Sequence, residues 1–182
     1  MSAERQPTAG EWSVLALLNE APAHGWALAA ALAPDGEIGA VWSLSRPLVY
    51  RALETLQQRG LVEVVGAASS TRGPSRTVYR PTRRGRSSLA RWLGEPVAHI
   101  RDLRPDLLLK LIFLARAGKD TSALLDEQRL LVEALLLEIA ADLNGATAPQ
   151  AILVRYRVEV ARAALRFVEA ERDAALLAVA RS

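Results

Sequence analysis

Apolar residues recur three and four positions apart between Glu11 and Asn19, where Trp12, Val14, Leu15, Leu17 and Leu18 form a broad face, and that spacing predicts a helix. Pro22 and Gly25 interrupt it, and a helical pattern resumes from Trp26 to Leu32 before Pro34, Asp35 and Gly36 end it. Gly36 to Trp42 reads as a short connection, strand or turn. Ser43-Leu44-Ser45-Arg46-Pro47 is the clearest helix start: Ser45 can cap through its hydroxyl, and Pro47 sits where a missing N–H costs little. Leu48, Val49, Ala52, Leu53 and Leu56 then keep helical spacing until Gly60 stops it. The pattern changes after that glycine. Leu61 to Val65 is rich in β-branched residues and reads as a strand, Gly66 to Ser75 as a loop, and Arg76 to Arg80 as a second strand. Pro81 closes this hairpin, and Thr82 caps a helix running from Arg83 to about Leu93.

Three helices running into a β-hairpin are the layout of a winged helix-turn-helix, with the second and third helices as the motif and the hairpin as the wing. Gly94 to Pro96 marks the expected boundary between a DNA-binding domain, residues 1–93, and a helical domain, residues 94–182. The second part carries three helical patterns, Asp106 to Ala117, Thr121 to Leu143 and Gln150 to Ala180. In the middle one Leu124, Leu131, Leu135 and Ile139 line one side while Leu125, Val132 and Leu136 line another, so its apolar arc needs cover on both. Ile152, Tyr156, Val160, Ala164, Phe167 and Val168 of the last helix are expected to face a partner. The fold class is therefore mainly α with a small β-hairpin wing, plus a C-terminal helical dimerisation domain. A homodimer covers the surplus leucine; a bundle closed against residues 1–93 is the alternative.

Composition narrows the function. Of 182 residues 51% are hydrophobic and 24% charged, as in a globular chain with a core. The absence of cysteine excludes thiol chemistry and fits a cytoplasmic location, and two histidines cannot make a histidine-rich metal site. No run of apolar residues is long enough to span a membrane, and Met1 to Gly10 lacks the apolar stretch of a secretion signal. The net charge of +3 is unevenly spread: residues 1–93 hold eleven basic and seven acidic side chains, residues 94–182 twelve and thirteen. The window 72–91 contains seven arginines and no acid, the footprint of a surface that faces a polyanion.

Within a helix-turn-helix, the N-terminal residues of the second motif helix meet base edges. Here those are Arg46, Tyr50 and Arg51, with Arg46 able to hydrogen-bond guanine through two parallel N–H groups. Tyr50, Ser43 and Ser45 are placed to reach phosphate, although Tyr50 also reads as a half-buried core aromatic. Arg72, Arg76 and Arg80 on the wing are expected to contact the backbone or minor groove. Trp12, Trp26 and Trp92 read as core, Trp42 as an anchor for the recognition helix, and His24 as structural. Catalysis needs converging titratable groups, and there is no Ser-His-Asp set and no phosphate-binding glycine loop, so no catalytic residue, cofactor or metal is expected.

Four segments carry a family likeness. They are Leu15-Ala-Leu-Leu18 with His24-Gly25-Trp26-Ala-Leu28, Val49-Tyr50-Arg51-Ala52-Leu53-Glu54-Thr55-Leu56 leading to Gly60-Leu61-Val62, Val78-Tyr79-Arg80-Pro81-Thr82-Arg83-Arg84-Gly85-Arg86, and Asp106 to Leu114. In order and spacing they resemble the PadR family of bacterial transcriptional regulators, in the branch with the longer C-terminal helical domain. The resemblance implies a dimer bound to a palindromic operator, usually a repressor, often released by a small molecule. Two positions depart from the pattern: Pro47-Leu48 stands where the family has Gly-Ser or Gly-Thr, and Trp26 where it has tyrosine. The leucine-rich helices suggest a hydrophobic or aromatic effector, held in an apolar cavity between the domains or at the dimer interface. A winged helix used only for protein–protein contacts is the alternative.

Overall fold

The computed structural model describes residues 5–70 and 73–179, with the side chains of 67–70, 73–75, 178 and 179 left out of the description. Contacts divide the chain into two compact units, one of residues 1–93 with 108–113, the other of 94–107 with 114–182.

In the first unit helix α1 (Ala9–Glu20) starts at a capping box that the apolar pattern did not reveal. The Glu11 amide donates to the Thr8 hydroxyl at 3.3 Å, and the Thr8 amide donates to the Glu11 carboxylate at 2.7 Å. Such a cap is worth about 1 kcal/mol to the helix. Val14, Leu15 and Leu18 of α1 are fully buried, and Trp12 stacks on Trp92 with ring centroids 5.0 Å apart. A two-residue strand β1 (Ala23–His24) leads into the short α2 (Gly25–Ala31), where His24 Nδ1 accepts the Ala27 amide at 3.0 Å and caps the helix. Residues 32–42 form turns, not a strand. Helix α3 (Arg46–Gln58) begins where expected, with Ser45 at the N-cap and Pro47 in the first turn, but the Ser45 hydroxyl makes no capping bond. Val49, Leu53 and Leu56 are buried against the unit's core.

The wing is longer than its sequence suggests. Strands β2 (Val62–Ser70) and β3 (Gly73–Pro81) pair antiparallel from Val62↔Pro81 to Ser70↔Gly73, with irregularities at Val64/Gly66 and Ala68/Ser70. Most of the segment expected to be a loop is therefore ladder. Small residues have low strand propensity, but inter-strand bonds need only backbone, and the partner strand sets the register. β1 adds a third strand on the other side of β3, through Ala23↔Tyr79 and His24↔Val78.

Helix α4 (Arg83–Gly94) is fastened to the hairpin base by Thr82. Its hydroxyl donates to the Gly60 carbonyl at 2.7 Å and accepts the Gly85 amide at 3.0 Å. A Cβ on Gly85 would lie 2.0 Å from the Leu61 carbonyl oxygen, so this position admits no side chain without moving backbone. The Thr-x-x-Gly part of the family-like segment is thus a joint between hairpin and helix.

The second unit opens with a 3₁₀ turn (Ile100–Asp102) and a π turn (Leu103–Leu107); α5 (Leu108–Arg116) follows, so the α-helix expected from Asp106 starts later, and its residues 108–113 group with the first unit. Pro105 lies within the π turn, where a proline disturbs regular helical bonding. Helix α6 (Ser122–Ala141) and helix α7 (Ala148–Val179) pack together around Ile139, Val154 and Val158, with Ile100, Leu136 and Ala140 against them. The ion pairs Asp126–Arg172 and Asp142–Arg157 occur in opposite order along the two helices, which makes them antiparallel. Gln128 is fully buried: its amide donates to the Val97 carbonyl at 3.0 Å, and its oxygen accepts the Val97 amide at 2.7 Å. Both polar groups of that residue are thereby satisfied.

Candidate nucleic-acid interface

The surface around the start of α3 is built by three elements. Val49, Ala52, Leu53 and Leu56 turn one side of α3 inward, which leaves Arg46, Tyr50 and Arg51 on the exposed side. Ser43 and Ser45 are exposed just before the helix, and because Ser45 makes no cap its hydroxyl is available to an outside partner. Tyr50 is 48% exposed, and its ring lies over Gly25 so closely that a Cβ there would sit 2.7 Å from Cε1. The glycine of the His-Gly pair is thus what lets the Tyr50 ring rest against the start of α2. Leu48 is also exposed, so Pro47-Leu48 presents an apolar surface where the family pattern has a hydroxyl.

The wing arginines have different surroundings. Arg72 lies outside the described residues. Arg76 stands within the ladder opposite Ala68, not at a flexible tip, and its guanidinium lies over the Trp26 ring, 5.2 Å from the centroid. Arg80 is held by its cross-strand neighbour Glu63, Nε to Oε1 2.8 Å, so part of its charge is matched within the hairpin. An exposed pair of this kind contributes at most about 1 kcal/mol to stability. Of the arginines on α4, Arg84 donates to the Arg59 carbonyl at 3.2 Å and Arg86 to the Pro81 carbonyl at 2.9 Å. They serve the joint between α3, the hairpin and α4. The basic window of the sequence therefore splits into arginines that hold the fold and arginines that face outward.

The tryptophans divide in the same way. Trp12 and Trp92 are core, each 5% exposed, but Trp26 is 47% exposed, contrary to its reading as core. It sits in the first turn of α2, next to the wing strand, where apolar character alone cannot tell an inner face from an outer one. Trp42 is half exposed, with its indole nitrogen close to Gly10 at the start of α1. A hollow of about 390 Å³ beside Trp26 is lined by Ala29, Ala30, Ala33, Leu44, Ser45 and Arg46.

A larger cavity, about 590 Å³, lies within the second unit, between the 3₁₀ turn, α6 and α7. Ile100, Leu135, Ile139 and Val160 make it apolar, while His99, Arg101, Glu138, Asp142, Tyr156 and Arg157 bring polar groups to its wall. Among the described residues no group of three or more His, Cys, Asp or Glu side chains is placed to hold a metal ion, and no helix is long and apolar enough to cross a membrane.

Three helices, a two-strand wing and a third short strand define the first unit as a winged helix. Residues 14–91 match the model of the Transcriptional regulator PadR-like family, so this stretch is similar to the domain of that family. A probable transcriptional regulator of Mycobacterium tuberculosis (strain ATCC 25618 / H37Rv) is 30% identical over 96 residues, 53% of this chain and 49% of that protein. The chain spans about half the length of that curated relative. Bacillus subtilis PadR in complex with operator DNA is similar at 17% identity and a TM-score of 0.46, over 89% of this chain and 97% of that one. The Vibrio cholerae virulence activator AphA is similar at 23% identity and a TM-score of 0.40, over 94% and 96%.

Proposed function

We propose that this protein is a sequence-specific DNA-binding transcriptional regulator, acting as a dimeric repressor on a palindromic operator. The observation that carries the reading is the exposed start of α3 in a domain similar to that of the PadR-like family, where Ser45, Arg46, Tyr50 and Arg51 face outward together. Arg46 reads a base edge in the major groove; Ser43, Ser45 and Tyr50 fix the register on phosphate. Arg51 adds charge on the same helix. Arg76 carries the backbone contact from the wing, together with Arg72, while Arg80 contributes less because Glu63 holds it.

Dimerisation falls to residues 94–182, where α6 and α7 leave Leu130, Leu137, Ile152, Leu153 and Tyr156 exposed. The face differs in detail from the one expected. Val168 is fully buried and Val160 and Ala164 are half-buried within the chain, while Ile152, Tyr156 and Phe167 remain outside. The effector is a hydrophobic or aromatic compound bearing a polar substituent, taken up by the cavity of the second unit, whose wall mixes aliphatic side chains with Tyr156 and Arg157. Titrating the purified protein with duplexes from the region upstream of its own gene, with and without a panel of such compounds, tests the reading. Site-specific binding weakened by a compound supports it; no selectivity for any upstream duplex contradicts it.

A further inference from the structure

We propose that Trp26 is a positioning residue of the DNA-binding surface: it holds Arg76 of the wing against the helix-turn-helix, so that wing and recognition helix meet the duplex as one prearranged surface. This rests on the DNA-binding reading and extends it to a residue that the family-like pattern fills with tyrosine.

Three observations converge. An indole is a large apolar group that normally goes inside, as Trp12 and Trp92 do at 5% exposure, yet Trp26 stays 47% exposed. Its place is fixed from both directions along the chain. His24, two residues earlier, pairs with Val78 of β3 and caps α2, and Arg76 stands two residues before Val78. The start of α2 and the wing strand are therefore tied by backbone bonds, and the Arg76 guanidinium comes to rest 5.2 Å from the ring centroid. Lastly, the same indole lines a hollow that Ser45 and Arg46 at the start of α3 also line. Trp26 thus touches the wing arginine and shares a hollow with the start of the recognition helix.

The chemistry suits phosphate. A guanidinium lying on an aromatic face gives up water on that face while its N–H edge stays open to oxygen acceptors. Ordering a long side chain before binding removes part of the entropy that the complex would otherwise cost. Because the contact concerns the backbone, its effect is the same on operator and on random DNA.

A double-mutant cycle in fluorescence anisotropy tests this with the full chain, using a duplex that the parent protein binds and a scrambled one. Trp26→Ala and Arg76→Ala are each expected to weaken both duplexes, the tryptophan change by about two- to fivefold. Trp26→Phe, which keeps a π face, restores most of the loss, and Trp26→Ala added to Arg76→Ala changes nothing further. Unchanged affinity in Trp26→Ala, or fully additive losses in the double variant, overturns the proposal while leaving DNA binding intact. A parent protein that binds no duplex overturns the DNA-binding reading itself and this proposal with it. Should Trp26→Ala not fold, Trp26→Leu, which keeps apolar bulk without a π face, takes its place: weaker binding of both duplexes in Trp26→Leu than in Trp26→Phe supports the proposal, and equal affinity in the two overturns it.

Discussion

In the first unit Leu15, Leu18, Leu32, Leu53 and Leu56 are all essentially fully buried, and the exposed large apolar groups are Trp26, Trp42, Leu48 and Tyr50 on α2, α3 and the chain just before α3, with Val64 and Val65 on the wing strand β2. In the second unit the exposed apolar groups are aliphatic and numerous, running along α6 and α7 from Leu130 and Leu137 to Ile152, Leu153, Leu176 and Leu177. Single exposed leucines are ordinary; a row of them along two packed helices is what an interface between chains needs. The difference teaches that the first unit closes its core unaided and can spend its exposed residues on recognition. On the proposed reading, a second copy of the chain covers the exposed row of the second unit.

That contrast can be broken at its strongest point first. Leu56→Ala removes a side chain with no exposure and is expected to destabilise the first unit by about 2–5 kcal/mol, seen as a lower midpoint in urea. Leu137→Ala, at 74% exposure, is expected to cost well under 1 kcal/mol when the chains are dissociated. Equal losses at the two sites would remove the distinction between a closed and an open unit.

The open unit is sharpened by charge. Leu137→Glu with Ile152→Glu places a charge at an exposed apolar position on each of α6 and α7 and is expected to turn a dimer into a folded monomer by analytical ultracentrifugation, with the helical circular dichroism kept. An unchanged sedimentation coefficient would place the dimer contact elsewhere.

Within the recognition surface the roles separate. Arg46→Ala is expected to cost about 1–3 kcal/mol of discrimination between operator and random duplex, while Arg76→Ala lowers affinity on both and flattens the salt slope by about one. Equal losses on the two duplexes for Arg46→Ala would remove its role as a base reader.

The smallest effect concerns the entrance to α6. The Asp120 carboxyl is held below its ordinary value of 3.8, first by the hydrogen bond from the Ser122 hydroxyl and then by the Ser122 amide. A carboxyl lowered on folding adds stability above its unfolded value, and that share is lost as pH falls through the lower folded value. Asp120→Asn is therefore expected to melt slightly below the parent at neutral pH, with the gap closing below about pH 3.8. A gap that does not change with pH would mean that the charge plays no part.

Much of the fold was legible because helical spacing and its punctuation are strong local signals. Pro47, Gly60 and Thr82 each fall where the sequence places a helix start, stop or cap. The wing was half legible. Val62 to Val65 shows its strand character, but Gly66 to Ser70 pairs only because β3 lies beside it, which no local pattern records. β1 is two residues long and too short to carry a period. At the recognition surface Arg46, Tyr50 and Arg51 could be placed from the face that Val49, Leu53 and Leu56 bury. The surroundings of Arg80 and Trp26 could not, since Glu63 stands seventeen residues from Arg80 and Arg76 fifty from Trp26. Such pairs follow from strand register, and register here follows from the whole hairpin.

The central claim is that the exposed start of α3 reads a particular DNA sequence. It is tested most directly by titrating the 182-residue chain against duplexes from upstream of its own gene and scrambled versions of them, at two salt concentrations. Tight binding to one upstream duplex, weakened by salt and at least about a thousandfold stronger than to its scrambled form, is the predicted result. Absent binding, or equal binding to both duplexes at both salt concentrations, would contradict it and point to a winged helix that contacts protein instead.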